Sequence, residues 1–210
     1  MKVRDALPSL YFSDPCLATA APAQDRVTML QQIESGELAS LDFDAIVYVY
    51  GPNRNHLSFY EQDLPKLASS FKNKPFLRDH DQMTLSSRDG LILSSKIVHQ
   101  LGETCFQQKI QLTTRQGMTD YVEGRIDRFS IAWDFEDIHC SICKASWFAC
   151  SHVPGKKYKT GPGAKEILCE LLFTKPTGKE TSAVNTPAVD GTSILADLNS
   201  FKEKNMLPNK

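Results

Sequence analysis

Four side chains able to hold a metal ion fall within thirteen residues of this sequence, in CSICKASWFACSH: Cys140, Cys143, Cys150 and His152. The pair Cys140/Cys143 has the C-x2-C spacing in which a tight turn lets two thiolates face one ion. Cys150 and His152 would complete a tetrahedral set from a second short arm. The single residue between them departs from the spacing of common fingers, so the segment does not read as a nucleic-acid finger. His139 and Cys169 are alternate ligands. The competing reading is a pair of buried thiols beside two incidental residues. It is weakened by the setting, a loop with Gly155, Gly161, Gly163, Pro154 and Pro162 and little apolar sequence to make a core. A closed four-ligand set leaves no coordination position for water, so the spacing points to a structural Zn2+ and not a catalytic one.

The elements that must carry such a loop read as α+β. From Asp25, the stretch RVTMLQQIESGEL has Val27, Leu30, Ile33 and Leu38 near helical spacing, with Gly36 as a stop. DAIVYVYG is a β-branched and aromatic run ending in Gly-Pro, which predicts a buried strand. Leu64, Leu67, Ala68 and Phe71 share a helical face, with Asp63 as a cap and Pro65 in the first turn. PFLRDHD predicts a short strand, and GLILSSKIVHQL and CFQQKIQLTT predict two longer ones. YVEGRIDRFSIAWDF predicts a short helix or turn, then a strand over Phe129 to Phe135. Residues 139–163 form an insertion, EILCELLFT a last strand, and the final twenty residues a helix with a frayed tail. Trp133, Trp147 and Phe148 are expected to pack in core and loop, and Lys156, Lys157 and Lys159 to form a solvated turn.

Bulk properties bound the function. With 24 basic and 25 acidic residues and a formal net charge of −1, the chain lacks the basic excess that phosphate recognition usually needs. No run approaches the eighteen or so apolar residues of a membrane helix, and the first residues do not form a signal peptide. Six cysteines in a chain that reads as soluble and intracellular favour metal binding or buried thiols over a disulfide framework. The expected organisation is a flexible arm over 1–24, one domain over 25–190 with the Cys/His insertion, and a tail over 191–210.

The order of motifs carries a resemblance. SSFKNKPFLRDHD, then a strand with RFSIAW, then CSICKASWFACSHVPGKKY, then ETSAVNTPAV, resembles the prohead (capsid-maturation) serine proteases of tailed phages across roughly residues 25–190. The matching positions are His80, Ser130, the cluster ending in Gly155 and Tyr158, and Glu180, Ser182, Val184, Pro187 and Ala188. The family is similar in fold to the herpesvirus assemblins, which implies a mostly antiparallel, β-barrel-like core with flanking helices. It also implies Ser130 and His80 as catalytic residues and scaffold and major capsid proteins as substrates. The implied setting is an assembling prohead in the host cytoplasm, where the protease is a homo-oligomer. Two features depart from the pattern. Ala132 stands where the family has glycine, and the segment after His80 lacks a clear small-residue strand start, although Gly90 can serve.

A serine hydroxyl needs an adjacent base, and histidine suits that task because its pKa lies near working pH. A third group should orient the imidazole; Glu180 is preferred, with Glu123, Asp79 and Asp81 as alternatives. Backbone N–H groups, near Arg125 or Arg128, are the default oxyanion donors. Two other functions compete: a catalytically inactive virion or scaffold-associated protein that keeps the fold and the zinc loop, favoured by Ala132, and a zinc-stabilised nucleic-acid module, disfavoured by the charge.

Overall fold

A computed structural model describes residues 23–51, 53–100 and 102–194. In chain order the elements are α1 (Ala23–Ser35), β1 (Leu41–Val49), β2 (Leu57–Phe59), α2 (Leu64–Ser70) and β3 (Pro75–Arg78). Next come β4 (Arg88–Gln100), β5 (Glu103–Leu112), α3 (Arg115–Val122), β6 (Phe129–Asp134) and β7 (Asp137–Cys140). The chain continues through β8 (Lys157–Lys159), β9 (Glu166–Leu168), β10 (Leu171–Thr174), β11 (Thr177–Ala183) and β12 (Ser193–Ile194).

The class is α+β. Seven strands form one sheet in the order β12-β1-β5-β4-β3-β11-β6, antiparallel except for the β3/β11 pair. The sheet curls into a half-barrel because its two ends approach each other. The Phe43 ring of β1 stacks 6.0 Å from Phe129 of β6, and the Phe129 N–H donates to Thr192 Oγ1 at 3.2 Å, next to β12. Phe43, Phe76, Phe106, Phe129, Ile92, Ile110 and Leu112 fill the inside of the curl. Gly90 is required where β4 crosses β5, since a Cβ there would sit 1.9 Å from the Gln111 carbonyl oxygen. A second sheet, β2-β10-β7, and the hairpin β8-β9 carry the cysteine segment.

Several expectations are met and others need correction. The strands at 41–49, 88–100 and 103–112 form where the apolar patterns predict them. α1 stops at Gly36, whose φ of 80° is the left-handed value that favours glycine at a helix end. Asp63 sits at the N-terminus of α2, but its side chain makes no capping bond. EILCELLFT is two strands in two sheets, because Cys169 and Glu170 break the run: Cys169 N–H bonds the Lys156 carbonyl at 2.8 Å, and Glu170 N–H bonds Ser141 Oγ at 2.8 Å. Phe148 does not pack; it is 85% exposed. Ser193 and Ile194 pair with β1 as a strand, and the rest of the segment expected to be helical lies outside the described residues, as do 1–22. Among the described residues, no helix is long and apolar enough to cross a membrane.

Candidate functional site

Glu180 and Ser182 are alternate residues of β11, so both side chains stand on one face of the sheet. β6 runs antiparallel beside it with Ser182 opposite Ser130 and Glu180 opposite Ala132, which brings Ser130 to the same face. Directly opposed residues have Cβ atoms about 5 Å apart, so Ser130 lies beside Ser182. On the other side, β3 pairs in parallel with β11 and ends at Arg78, delivering Asp79 and His80 over this face. Both take left-handed backbone angles, with φ of 47° and 60°. The Asp79 N–H donates to the Ala183 carbonyl at 3.0 Å, closing the turn.

The hydrogen bonds around His80 form a ring. Its backbone N–H donates to Ser182 Oγ at 3.1 Å; the Ser182 hydroxyl donates to Glu180 Oε2 at 2.7 Å; and Glu180 Oε1 lies 2.5 Å from His80 Nδ1. Glu180 is completely buried while the His80 side chain is 38% exposed. A carboxylate at Nδ1 fixes that nitrogen as the N–H, leaving Nε2 as the basic atom of a neutral ring. The Glu180 hydrogen bond raises the His80 pKa above its ordinary value of 6.5; partial burial opposes this, and the charges of Glu180 and Asp79 add to it. His80 and Ser130 line one cavity of about 350 Å3. The arrangement supplies a hydroxyl, an oriented imidazole and a buried carboxylate, the parts of a proton-transfer relay to a serine.

The other candidates for the third group are occupied elsewhere. Asp81 accepts the N–H groups of Met83 and Thr84 at 2.9 and 3.1 Å, as a turn residue does. Glu123 pairs with Arg125. Asp79 faces His80 only as a nearby charge. Of the expected oxyanion donors, the Arg125 N–H is engaged by the Asp120 carbonyl at 2.8 Å. Ser182 enters the sequence reading only as part of the closing motif, with no part assigned to it beside His80. The signal for it was there: serine two positions from glutamate in ETS shares a strand face with it.

The Cys/His cluster forms as expected. The ligand atoms of Cys140, Cys143, Cys150 and His152 all lie within 4.8 Å of one another. Cys143 Sγ is 3.5 Å from Cys150 Sγ, which is 3.3 Å from His152 Nδ1. Backbone N–H groups of Ile142 and His152 donate to Cys140 Sγ and Cys150 Sγ, both at 3.3 Å. The His152 ring stands edge-on to Tyr158 at 4.5 Å, and the Tyr158 hydroxyl accepts the Val153 N–H at 2.9 Å. Burial opposes ionisation of Cys140, yet the N–H groups of Cys143 and Ile142 and the adjoining thiols bring it down to about 6. Burial and the neighbouring sulfurs push Cys150 up to about 11.

Of the alternates, Cys169 Sγ lies 3.8 Å from Cys140 Sγ, and burial with that neighbour pushes its thiol up to about 12. His139 is engaged by the Tyr60 hydroxyl at 3.0 Å and by Asp137 at 3.3 Å. No family model, curated protein or solved structure matches this chain.

Proposed function

We propose that this chain is a serine endopeptidase of the prohead-maturation kind, acting on scaffold and major capsid proteins inside the assembling phage head. The observation that carries the reading is the ring of hydrogen bonds joining His80, Ser182 and Glu180 beside Ser130. In the proposed reaction Ser130 Oγ attacks the scissile carbonyl carbon and its proton passes to His80 Nε2. The tetrahedral species then collapses, the C–N bond breaks, and the same proton goes to the leaving amine. Water repeats the sequence on the acyl-enzyme. Glu180 holds the imidazole in the required tautomer and stabilises the imidazolium. The phage setting and the capsid substrates rest on the motif resemblance.

A structural zinc ion belongs to the same proposal, held by Cys140, Cys143, Cys150 and His152. Zn–S bonds of about 2.3 Å and Zn–N bonds of about 2.0 Å in a tetrahedron imply donor separations of roughly 3.5 Å for S···N and 3.8 Å for S···S. The observed S···S separation of 3.5 Å and S···N separation of 3.3 Å are each within about 0.3 Å of those values. Zinc would neutralise the thiolates and staple the β7–β10 region.

A second reading, an inactive virion or scaffold-associated protein, is favoured by Ala132 on the serine strand. Co-expression with capsid and scaffold proteins decides between the two. Intact mass should show cleaved products with the wild type and none with Ser130→Ala or His80→Ala, both still folded. Uncleaved capsid protein in all three samples would establish the structural reading.

A further inference from the structure

The cavity beside Ser130 and His80 has walls whose chemistry is one-sided. Val47, Leu57, Trp133, Phe173 and Val189 supply apolar surface, and the buried Asn53 and exposed Asn55 supply neutral amides. None of the described lining residues is an Asp, Glu, Lys or Arg. The walls are also built in advance of any ligand. Asn53 Oδ1 accepts the N–H groups of Asn55 and Leu57, both at 2.9 Å, which fixes residues 53–57 ahead of β2. The Arg54 N–H donates to the Ala188 carbonyl at 3.0 Å, and the Arg54 side chain pairs with Asp190, tying those residues to the 188–190 segment. Trp133 is clamped edge-on between Phe59 at 4.9 Å and Phe173 at 5.2 Å.

A volume of about 350 Å3 lies at the small end of the range for ligand pockets, which suits one or two side chains of a peptide and not a large cofactor. An aliphatic or aromatic side chain entering it exchanges water for apolar contact. A carboxylate or ammonium would lose its hydration with no Asp, Glu, Lys or Arg in the lining to pair with, and the His80 ring is already paired with Glu180.

We propose that this cavity is the specificity pocket of the site: it takes the aliphatic or aromatic side chain of the residue whose carbonyl Ser130 attacks, and it excludes acidic and basic ones. The proposal rests on the serine-peptidase reading for its place in the reaction, but its binding preference can be measured without catalysis. In Ser130→Ala protein, blocked single-residue amides of Leu, Phe, Glu and Lys are titrated and followed by saturation-transfer NMR. The Leu and Phe compounds should bind at least tenfold more tightly than those of Glu and Lys. Asn55→Lys places a cation at an exposed position of the lining and should improve the Glu compound about tenfold relative to the Leu compound. Equal binding of all four, with no response to Asn55→Lys, overturns the pocket.

A parallel measurement separates the two ideas. Wild-type protein is treated with a fluorophosphonate and assayed on peptides differing only at the residue before the cleaved bond. If the binding preference holds but Ser130 neither labels nor cleaves, the pocket stands and the peptidase reading falls. Labelling with equal cleavage after Leu and Glu retains the peptidase and removes the pocket.

Discussion

Two successive non-glycine residues in the left-handed region, Asp79 and His80, are costly for a turn, roughly 1 kcal/mol or more each. They are held by bonds to β11, and what the distortion achieves is the presentation of Nδ1 to Glu180. The raised His80 pKa then has opposite consequences for folding and for catalysis. A histidine with a folded pKa above its unfolded one contributes stability that is fully present below about 6.5 and lost as pH rises through the folded value. Proton abstraction needs the neutral ring, so activity appears over the same range in which that stabilisation disappears. We predict a kcat/KM profile whose acid limb has its midpoint above 6.5, the ordinary imidazole value. Glu180→Gln should move that limb downward and reduce kcat by about a hundredfold or more. Ser182→Ala leaves Glu180 Oε2 and the His80 N–H without their shared partner, and should cost roughly tenfold in kcat, restored by Ser182→Thr. A limb that stays put in Glu180→Gln would remove Glu180 from its orienting role.

At the scale of elements, legibility followed apolar pattern. β1, β4 and β5 were readable because their β-branched and aromatic residues are what a half-buried sheet selects. β11 was not, because KETSA looks like a loop: its buried residues Glu180, Thr181 and Ser182 are polar. They are tolerated inside because each has a partner, Thr181 donating to Gln108 Oε1 at 2.8 Å and the other two closing the ring at His80. The strand that carries the candidate site therefore carries the weakest strand signal. The cysteine segment was legible for the opposite reason. Ligand spacing is a local property, readable within thirteen residues even though β10 and Glu170 hold Cys140 and Ser141 in place. The prediction at this scale concerns metal removal. Protein purified under reducing conditions should contain one zinc per chain by elemental analysis. Chelation should open the segment to trypsin at Lys144, Lys156 and Lys157 while β1, β4 and β5 stay protected. A metal-free chain with the same protease resistance before and after chelator would remove zinc from the fold.

For the whole molecule, the question is what holds β3 in place, since it delivers His80 and pairs with β11 in parallel. The answer is a charge network on the opposite side of the strand end. Arg78 meets Asp89 at 2.5 Å and Asp120 at 2.7 Å, and Arg125 reaches the same Asp120 at 2.8 Å. Asp120 also accepts Gln116 Nε2 at 2.9 Å, so one buried carboxylate joins α3 to β3. Asp89 connects both to β4 and accepts the Thr114 hydroxyl at 2.6 Å at the start of α3. Breaking a buried pair from one side leaves a charge without its partner and costs about 3–5 kcal/mol. Because Arg78 is partly exposed, water recovers some of that, and Asp120→Ala should lower stability by roughly 2–3 kcal/mol. Arg125 is 61% exposed, and its loss should cost under about 1 kcal/mol, as surface pairs do. Urea denaturation separates the two: the Asp120→Ala midpoint falls well below the wild type with an unchanged slope, and the Arg125→Ala midpoint barely moves. Similar small shifts for both would mean that β3 is held by the aromatic core around Phe76 alone, and that the position of His80 does not depend on α3.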